Sequence, residues 1–195
     1  MPITKIAIEQ EIIIMSTLAK WTINNYHQMI DAGILAQRKV ELIAGDIVEM
    51  TPEKPLHRRV TVKLADYFRD KLRGRGIIFE AHPITLFDSE PEPDIIIAQL
   101  PLERYDHRHP YAEDIELLIE VSDTTLKYDL DTKQKIYALA KIKEYWIIDI
   151  HGPQLKIFQQ PESNRYLTQF NFTQGMISPI AFPDIEIGSN KIFGL

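Results

Sequence analysis

Two rhythms of apolar residues organise this chain. Residues 57–72 place Val60, Leu64, Phe68 and Leu72 at every fourth position, with Arg58, Arg59, Lys63, Arg69 and Lys71 around them. That spacing predicts an amphipathic helix ending near Gly74. Upstream, Thr22 offers an N-cap to a short helix carrying Ile23, Tyr26 and Ile30, and Gly33 offers a stop. Val40-Glu41-Leu42-Ile43 and Ile47-Val48-Glu49-Met50 flank Ala44-Gly45-Asp46, the pattern of a β-hairpin with Glu41 on its first strand. Short strands are predicted at 77–80 and 84–87. Pro91-Glu92-Pro93 then keeps the chain extended until Asp94 opens a strand reaching Ala98.

Residues 100–113, with Pro101, Pro110 and many charges, read as a surface loop. The run Ile115 to Val121 is apolar almost throughout, as in a strand covered on both faces. A turn over 122–126 precedes a helix through residues 134–140, capped by Asp129 or Asp131, and Tyr145-Trp146-Ile147-Ile148-Asp149 forms the next buried strand. Strand, helix and strand in that order imply a parallel crossover. Residues 155–159 and 166–172 continue the sheet in antiparallel fashion, and turns alternate with short apolar runs from Gly175 onward. The expected class is α/β or α+β, a mixed sheet flanked by helices. Residues 21–195 form one domain behind an N-terminal extension, 1–20, without internal repeats or low-complexity linkers.

Composition narrows this picture. A chain of 195 residues with 45% hydrophobic content can bury one substantial core. The absence of cysteine excludes disulfides, thiolate metal sites and a cysteine nucleophile, and fits a reducing, cytoplasmic compartment. Ile12-Ile13-Ile14-Met15 follows Glu9-Gln10-Glu11 and is too short to span a bilayer, so neither signal peptide nor membrane association is expected. A net charge of −6 argues against a surface that grips nucleic acid everywhere, and leaves room for a local basic stripe such as that of the 57–72 helix.

The candidate chemistry starts with Glu120 inside Leu117-Leu118-Ile119-Glu120-Val121-Ser122. An ionised carboxylate in an apolar strand costs several kcal/mol unless it is compensated. Two answers stay open from the residues alone: a Lys or Arg partner, or a cation shared with Asp94 from a neighbouring strand. Paired carboxylates repel, and a hard divalent ion such as Mg²⁺ relieves that, with the Val121 carbonyl as a further oxygen ligand. Asp129, Lys133 and Tyr137 recur at i, i+4 and i+8, so Lys133 could reach back to the acids from one helical face. Plainer readings stand beside these. They are ordinary turn chemistry for Asp94 after Pro93, a solvent-facing strand position for Glu41, a solvated helix lysine for Lys133, a first-turn helix residue for His57, and simple packing for Tyr137. His107 and His109 are too loosely spaced to argue for metal binding.

Taken in order, Glu41 to Met50, His57, Pro93-Asp94, Glu120-Val121-Ser122, Asp129, Lys133, Tyr137 and Glu144 to Asp149 resemble the bacterial restriction endonuclease-like domain family of the PD-(D/E)XK nuclease superfamily. The resemblance runs from about Trp21 to the C-terminus. It implies a restriction-endonuclease-like mixed β-sheet core flanked by α-helices, with Asp94 and Glu120 as metal ligands and Glu41 as the acid supplied by an N-terminal element. Ser122 stands where the superfamily's lysine is expected; lysines migrated to the adjacent helix are known there, and Lys133, with Lys135 second, takes that role. The implied activity is Mg²⁺-dependent hydrolysis of DNA phosphodiesters, with Mn²⁺ able to substitute, and two active sites for two strands suggest a homodimer. RNA or a branched junction would use the same site. The alternative is a catalytically silent nucleic-acid- or protein-binding module that retains the fold.

Overall fold

In the computed structural model, residues 18–193 are described. Ile12-Ile13-Ile14-Met15 and the expected extension as far as residue 17 lie outside them. Helix α1 (Ile23–Asp31) leads into the hairpin β1 (Val40–Ile43) and β2 (Asp46–Glu49), followed by α2 (Pro55–Lys71), β3 (Ile77–Glu80), β4 (Ile95–Ala98) and β5 (Ile115–Ser122). A continuous helical stretch comes next: α3 (Leu126–Tyr128), a π-helical turn (Asp129–Lys133) and α4 (Gln134–Leu139). The chain closes with β6 (Glu144–Asp149), β7 (Gln154–Glu162), β8 (Arg165–Phe172), β9 (Met176–Ile177), β10 (Ile187–Gly188) and α5 (Ser189–Phe193).

Six strands form one sheet in the order β3-β4-β5-β6-β7-β8, and within it β5 and β6 form the parallel pair. The helical stretch 126–139 is the crossover that this pairing requires. Period-two alternation divides the apolar residues between two cores. Ile95, Ile97, Leu117, Ile119, Val121, Trp146 and Ile148 pack on the side of Val60, Leu64 and Phe68 from α2. Ile96, Ala98, Leu118, Tyr145 and Ile147 pack on the side of Tyr137 and Ala138 from α4. The mixed sheet flanked by helices is therefore as expected.

The hairpin forms its own two-stranded sheet, and Tyr26 from α1 joins Val40 and Leu42 in a small third core. Ala44 and Gly45 both take positive φ, 47° and 78°, as the tight turn between twisted strands requires. A side chain at Gly45 would also strike Lys20, whose Cβ would lie 2.9 Å away. Thr22 caps α1 as predicted, accepting from the Asn25 N–H at 3.1 Å.

Three expectations need correction. Residues 84–87 contribute only an isolated bridge, Thr85 to Tyr111, because Ile84 and Leu86 are buried as loop residues against the α4-side core. The 100–113 loop contains the 3₁₀ turns Leu102–Tyr105 and Ala112–Asp114, organised around Asp114, which accepts hydrogen bonds from Arg104, Arg108 and the Tyr111 N–H. Neither Asp129 nor Asp131 caps the helix before β6. Helix begins earlier, at Leu126, and Asp129 opens the π-helical turn.

Candidate active site

The β4–β5 register builds the centre of the site. Ile95 pairs with Ile119, so Asp94, just before β4, comes beside the end of β5 that carries Glu120, and Glu120 turns toward the helical stretch 126–139. Asp94 is tied down by its neighbour: its Oδ2 accepts the Val121 N–H at 2.7 Å and also meets His57 Nε2 at 3.1 Å. His57 in turn has Nδ1 3.1 Å from Glu53 Oε1. Burial works against the His57 imidazolium, but the carboxylates of Asp94 and Glu53 outweigh it and hold its pKa up at about 9.

Glu120 is 4% exposed, and its Oε1 accepts from Lys133 Nζ and Tyr137 OH, both at 2.9 Å. Lys133, itself only 6% exposed, also lies 3.4 Å from Glu41 Oε2, and that oxygen accepts the Glu92 N–H at 3.3 Å. Glu41 is thus buried on the face of β1 opposite Val40 and Leu42, and the solvent-facing readings of Glu41 and Lys133 do not hold. Tyr137 packs in the core and engages the acid at once. The alternatives left open for Glu120 include a lysine partner, and Lys133 is that partner.

The helix reaches the acids through its π turn. Asp129 is buried and its Oδ2 accepts from Ser122 Oγ and Thr125 Oγ1, both at 2.7 Å. Ser122, at the end of β5, fastens the start of the turn from which Lys133 projects. Ser122, Thr125 and Asp129 were not singled out together by the sequence. Hydroxyl residues followed by Asp four and seven positions later are a common arrangement, and only the fold makes them one cluster.

The charges in the cleft are unequal. Glu41, Glu92, Asp94, Glu120 and Asp129 line a space of about 370 Å³ together with Lys133 and His57. Burial pushes the Glu120 carboxyl up to about 8, an effect that Lys133 opposes and that Asp94 and Asp129 reinforce. Burial also raises Asp129 and Glu92. For Lys133, burial favours the neutral amine, but Glu120, Glu41 and Asp129 reverse this and keep the ammonium charged.

A cation in this space would meet hard oxygen donors. Among the described residues, the hydrogen bonds to Asp94 end on Oδ2 and those to Glu120 on Oε1, leaving the second oxygen of each carboxylate for a ligand. No group of three or more His, Cys, Asp or Glu that could hold a metal occurs among the described residues. Two carboxylates with a backbone carbonyl such as that of Val121 would suit Mg²⁺ or Mn²⁺ completed by water and phosphate oxygens, and would not suit a soft metal.

The basic stripe on α2 is only partly open. Arg58 and Arg69 both reach Glu80 on β3, and Arg69 also pairs with Asp66. Lys135 has no described contact with the acids, so Lys133 is the lysine at the site. His109 lies near His82, with ring nitrogens 3.4 Å apart, away from the cleft residues. No described helix is long and apolar enough to cross a membrane.

Comparison with known proteins bears on the fold and the family. A crystal structure described as "a putative nuclease belonging to DUF820 from Anabaena variabilis ATCC 29413" superposes with a TM-score of 0.64 at 14% identity, covering 80% of this chain and 89% of that one. At that identity the likeness shows a shared fold. No curated protein matches the chain. The family Uma2, described as "Putative restriction endonuclease", matches residues 23–189, which span the hairpin, both acids and the lysine. The chain belongs to this restriction-endonuclease-like family of nuclease type.

Proposed function

We propose that this protein is a metal-dependent endonuclease that hydrolyses DNA phosphodiester bonds, with Asp94, Glu120 and the Val121 carbonyl holding Mg²⁺, or Mn²⁺ in its place. The observation that carries the reading is the buried Lys133 ammonium, 2.9 Å from Glu120 and 3.4 Å from Glu41, beside an acid pair that keeps two free oxygens. A structural ion pair alone would not need this surplus of carboxylates facing an open cleft, since each uncompensated buried charge is costly.

When bound, the metal supplies Lewis-acid stabilisation of charge on the phosphoryl oxygens and makes water a better nucleophile at neutral pH. The protein's part is orientation. Val121 N–H and His57 fix the Asp94 carboxylate, Tyr137 and Lys133 fix Glu120, and Glu41 steers Lys133. Lys133 has a third N–H with which to position the attacking water or meet a phosphate oxygen. The fixed charges need no rearrangement as negative charge shifts among the phosphoryl oxygens.

Cleavage of supercoiled plasmid DNA in Mg²⁺ and in Mn²⁺, with Lys133→Ala as control, tests the proposal. Nicked or linear product from the wild type, absent from the variant, supports it. DNA retention without cleavage by either protein supports instead a binding module that keeps the fold.

A further inference from the structure

One residue lining the cleft carries a buried hydroxyl with no hydrogen-bond partner among the described residues. Among the described residues, three buried side-chain polar atoms lack a hydrogen-bond partner: Glu80 Oε2, Tyr145 OH and Tyr128 OH. Glu80 Oε2 still faces Arg58 at 3.4 Å. Tyr145 is sealed in the core between Tyr137, Phe158 and Tyr166. Tyr128 differs from both, because it lines the cleft.

Tyr128 ends α3, immediately before the π turn, and the charged groups acting on its phenol are Glu41, Lys133, Asp129 and Glu120. Their own hydrogen bonds run elsewhere. Asp129 takes Ser122 and Thr125, Lys133 is shared by Glu120 and Glu41, and Glu41 also takes the Glu92 N–H. Other phenols in the fold have found acceptors, as Tyr26 does on the Val40 carbonyl, Tyr137 on Glu120 and Tyr166 on the Ile142 carbonyl. Buried polar groups in native proteins are almost always paired, so an orphan donor at the wall of an active-site cleft needs an acceptor brought from outside. The acceptor that arrives beside a carboxylate-held cation is a phosphate oxygen.

We propose that Tyr128 is a substrate-contacting catalytic residue whose hydroxyl donates a hydrogen bond to a non-bridging oxygen of the scissile phosphodiester. The proposal rests on the nuclease reading above and adds to it a donor from the cleft wall.

Tyr128→Phe removes this donor and no hydrogen bond found within the protein. The variant is expected to unfold at the wild-type temperature and to keep the wild-type response to Mn²⁺. Its kcat/KM on plasmid DNA should fall about 100-fold, the scale of losing one donor to a developing oxyanion. In a parallel arm, thermal unfolding is followed in Mn²⁺ as inorganic phosphate is titrated in; wild type should gain stability that Tyr128→Phe does not. Equal cleavage by the two proteins overturns the proposal and leaves the nuclease reading intact. Should the wild type cleave nothing, the nuclease reading fails and the phosphate arm decides: a gain confined to wild type keeps Tyr128 as an anion donor, and matching responses mean that the hydroxyl holds only solvent.

Discussion

Lys133 Nζ donates to Glu120 Oε1 at 2.9 Å, joining the π turn to the middle of β5 across an interior where both side chains are almost fully buried. The pair answers why a central strand tolerates a carboxylate, and it also holds the ammonium between Glu120 and Glu41. Removing one partner leaves the other uncompensated. Lys133→Met should therefore destabilise the fold by about 3–5 kcal/mol as well as abolish cleavage. Adding Glu120→Gln should recover part of that stability without recovering activity. Urea unfolding of the two single variants and the double variant gives the coupling; strictly additive losses would show that the two groups do not act as a pair.

Tyr137 should behave differently, because its ring is core and only its hydroxyl touches Glu120. Tyr137→Phe keeps the packing and should cost about 1–1.5 kcal/mol, with a weakened metal response that Tyr128→Phe does not show. An unchanged metal midpoint in Tyr137→Phe would mean that the hydroxyl does not orient Glu120.

Ser122 stands on β5 and anchors the turn that carries the site's lysine. Its hydroxyl is spent on Asp129 at 2.7 Å, and Asp129 opens the turn that delivers Lys133. Ser122→Ala should cost about 1–2 kcal/mol. Ser122→Lys, which restores the residue type expected at that place, should lower activity, because the volume beside it belongs to Asp129 and Thr125. Wild-type or higher cleavage by Ser122→Lys would contradict the anchoring role.

Far from the cleft, Asp114 organises the loop before β5. Burial would raise its pKa, but Arg108, the Tyr111 N–H and Arg104 hold it below the usual aspartate value. A depressed folded-state pKa stabilises the fold above about pH 4, near the unfolded aspartate value, and that contribution disappears as pH falls through the lower, folded value. Asp114→Asn should therefore be less stable than wild type at neutral pH, with the gap closing in acid. A gap independent of pH would show that geometry matters there and charge does not.

Much of this was legible in the sequence, for reasons that particular residues illustrate. Ile95 to Ile97 and Leu117 to Val121 are buried on both faces, so their apolar runs announce strands, and the register that follows makes Asp94 and Glu120 neighbours. The Thr22 cap and the Ala44-Gly45 turn are local chemistry and read directly. Residues 84–87 misled because Ile84 and Leu86 are apolar for packing and have no strand to pair with. The π turn is not legible: Asp129 to Lys133 carries the residues of any helix start, and the Ser122 hydroxyl that meets Asp129 comes from the end of β5. The burial of Glu41 and Lys133 depends on the hairpin lying over the helical stretch, a tertiary fact that no spacing within either segment encodes.

If Asp94 and Glu120 together hold a divalent cation, as proposed, thermal unfolding of the protein with increasing Mn²⁺ or Mg²⁺ reveals it without a substrate. At about 100 times its dissociation constant, a metal that binds only the folded state adds roughly 2.7 kcal/mol. Wild type should gain stability on that scale, while Asp94→Asn and Glu120→Gln should stay flat across the titration. Equal responses from all three proteins, or none from the wild type, would contradict the metal centre.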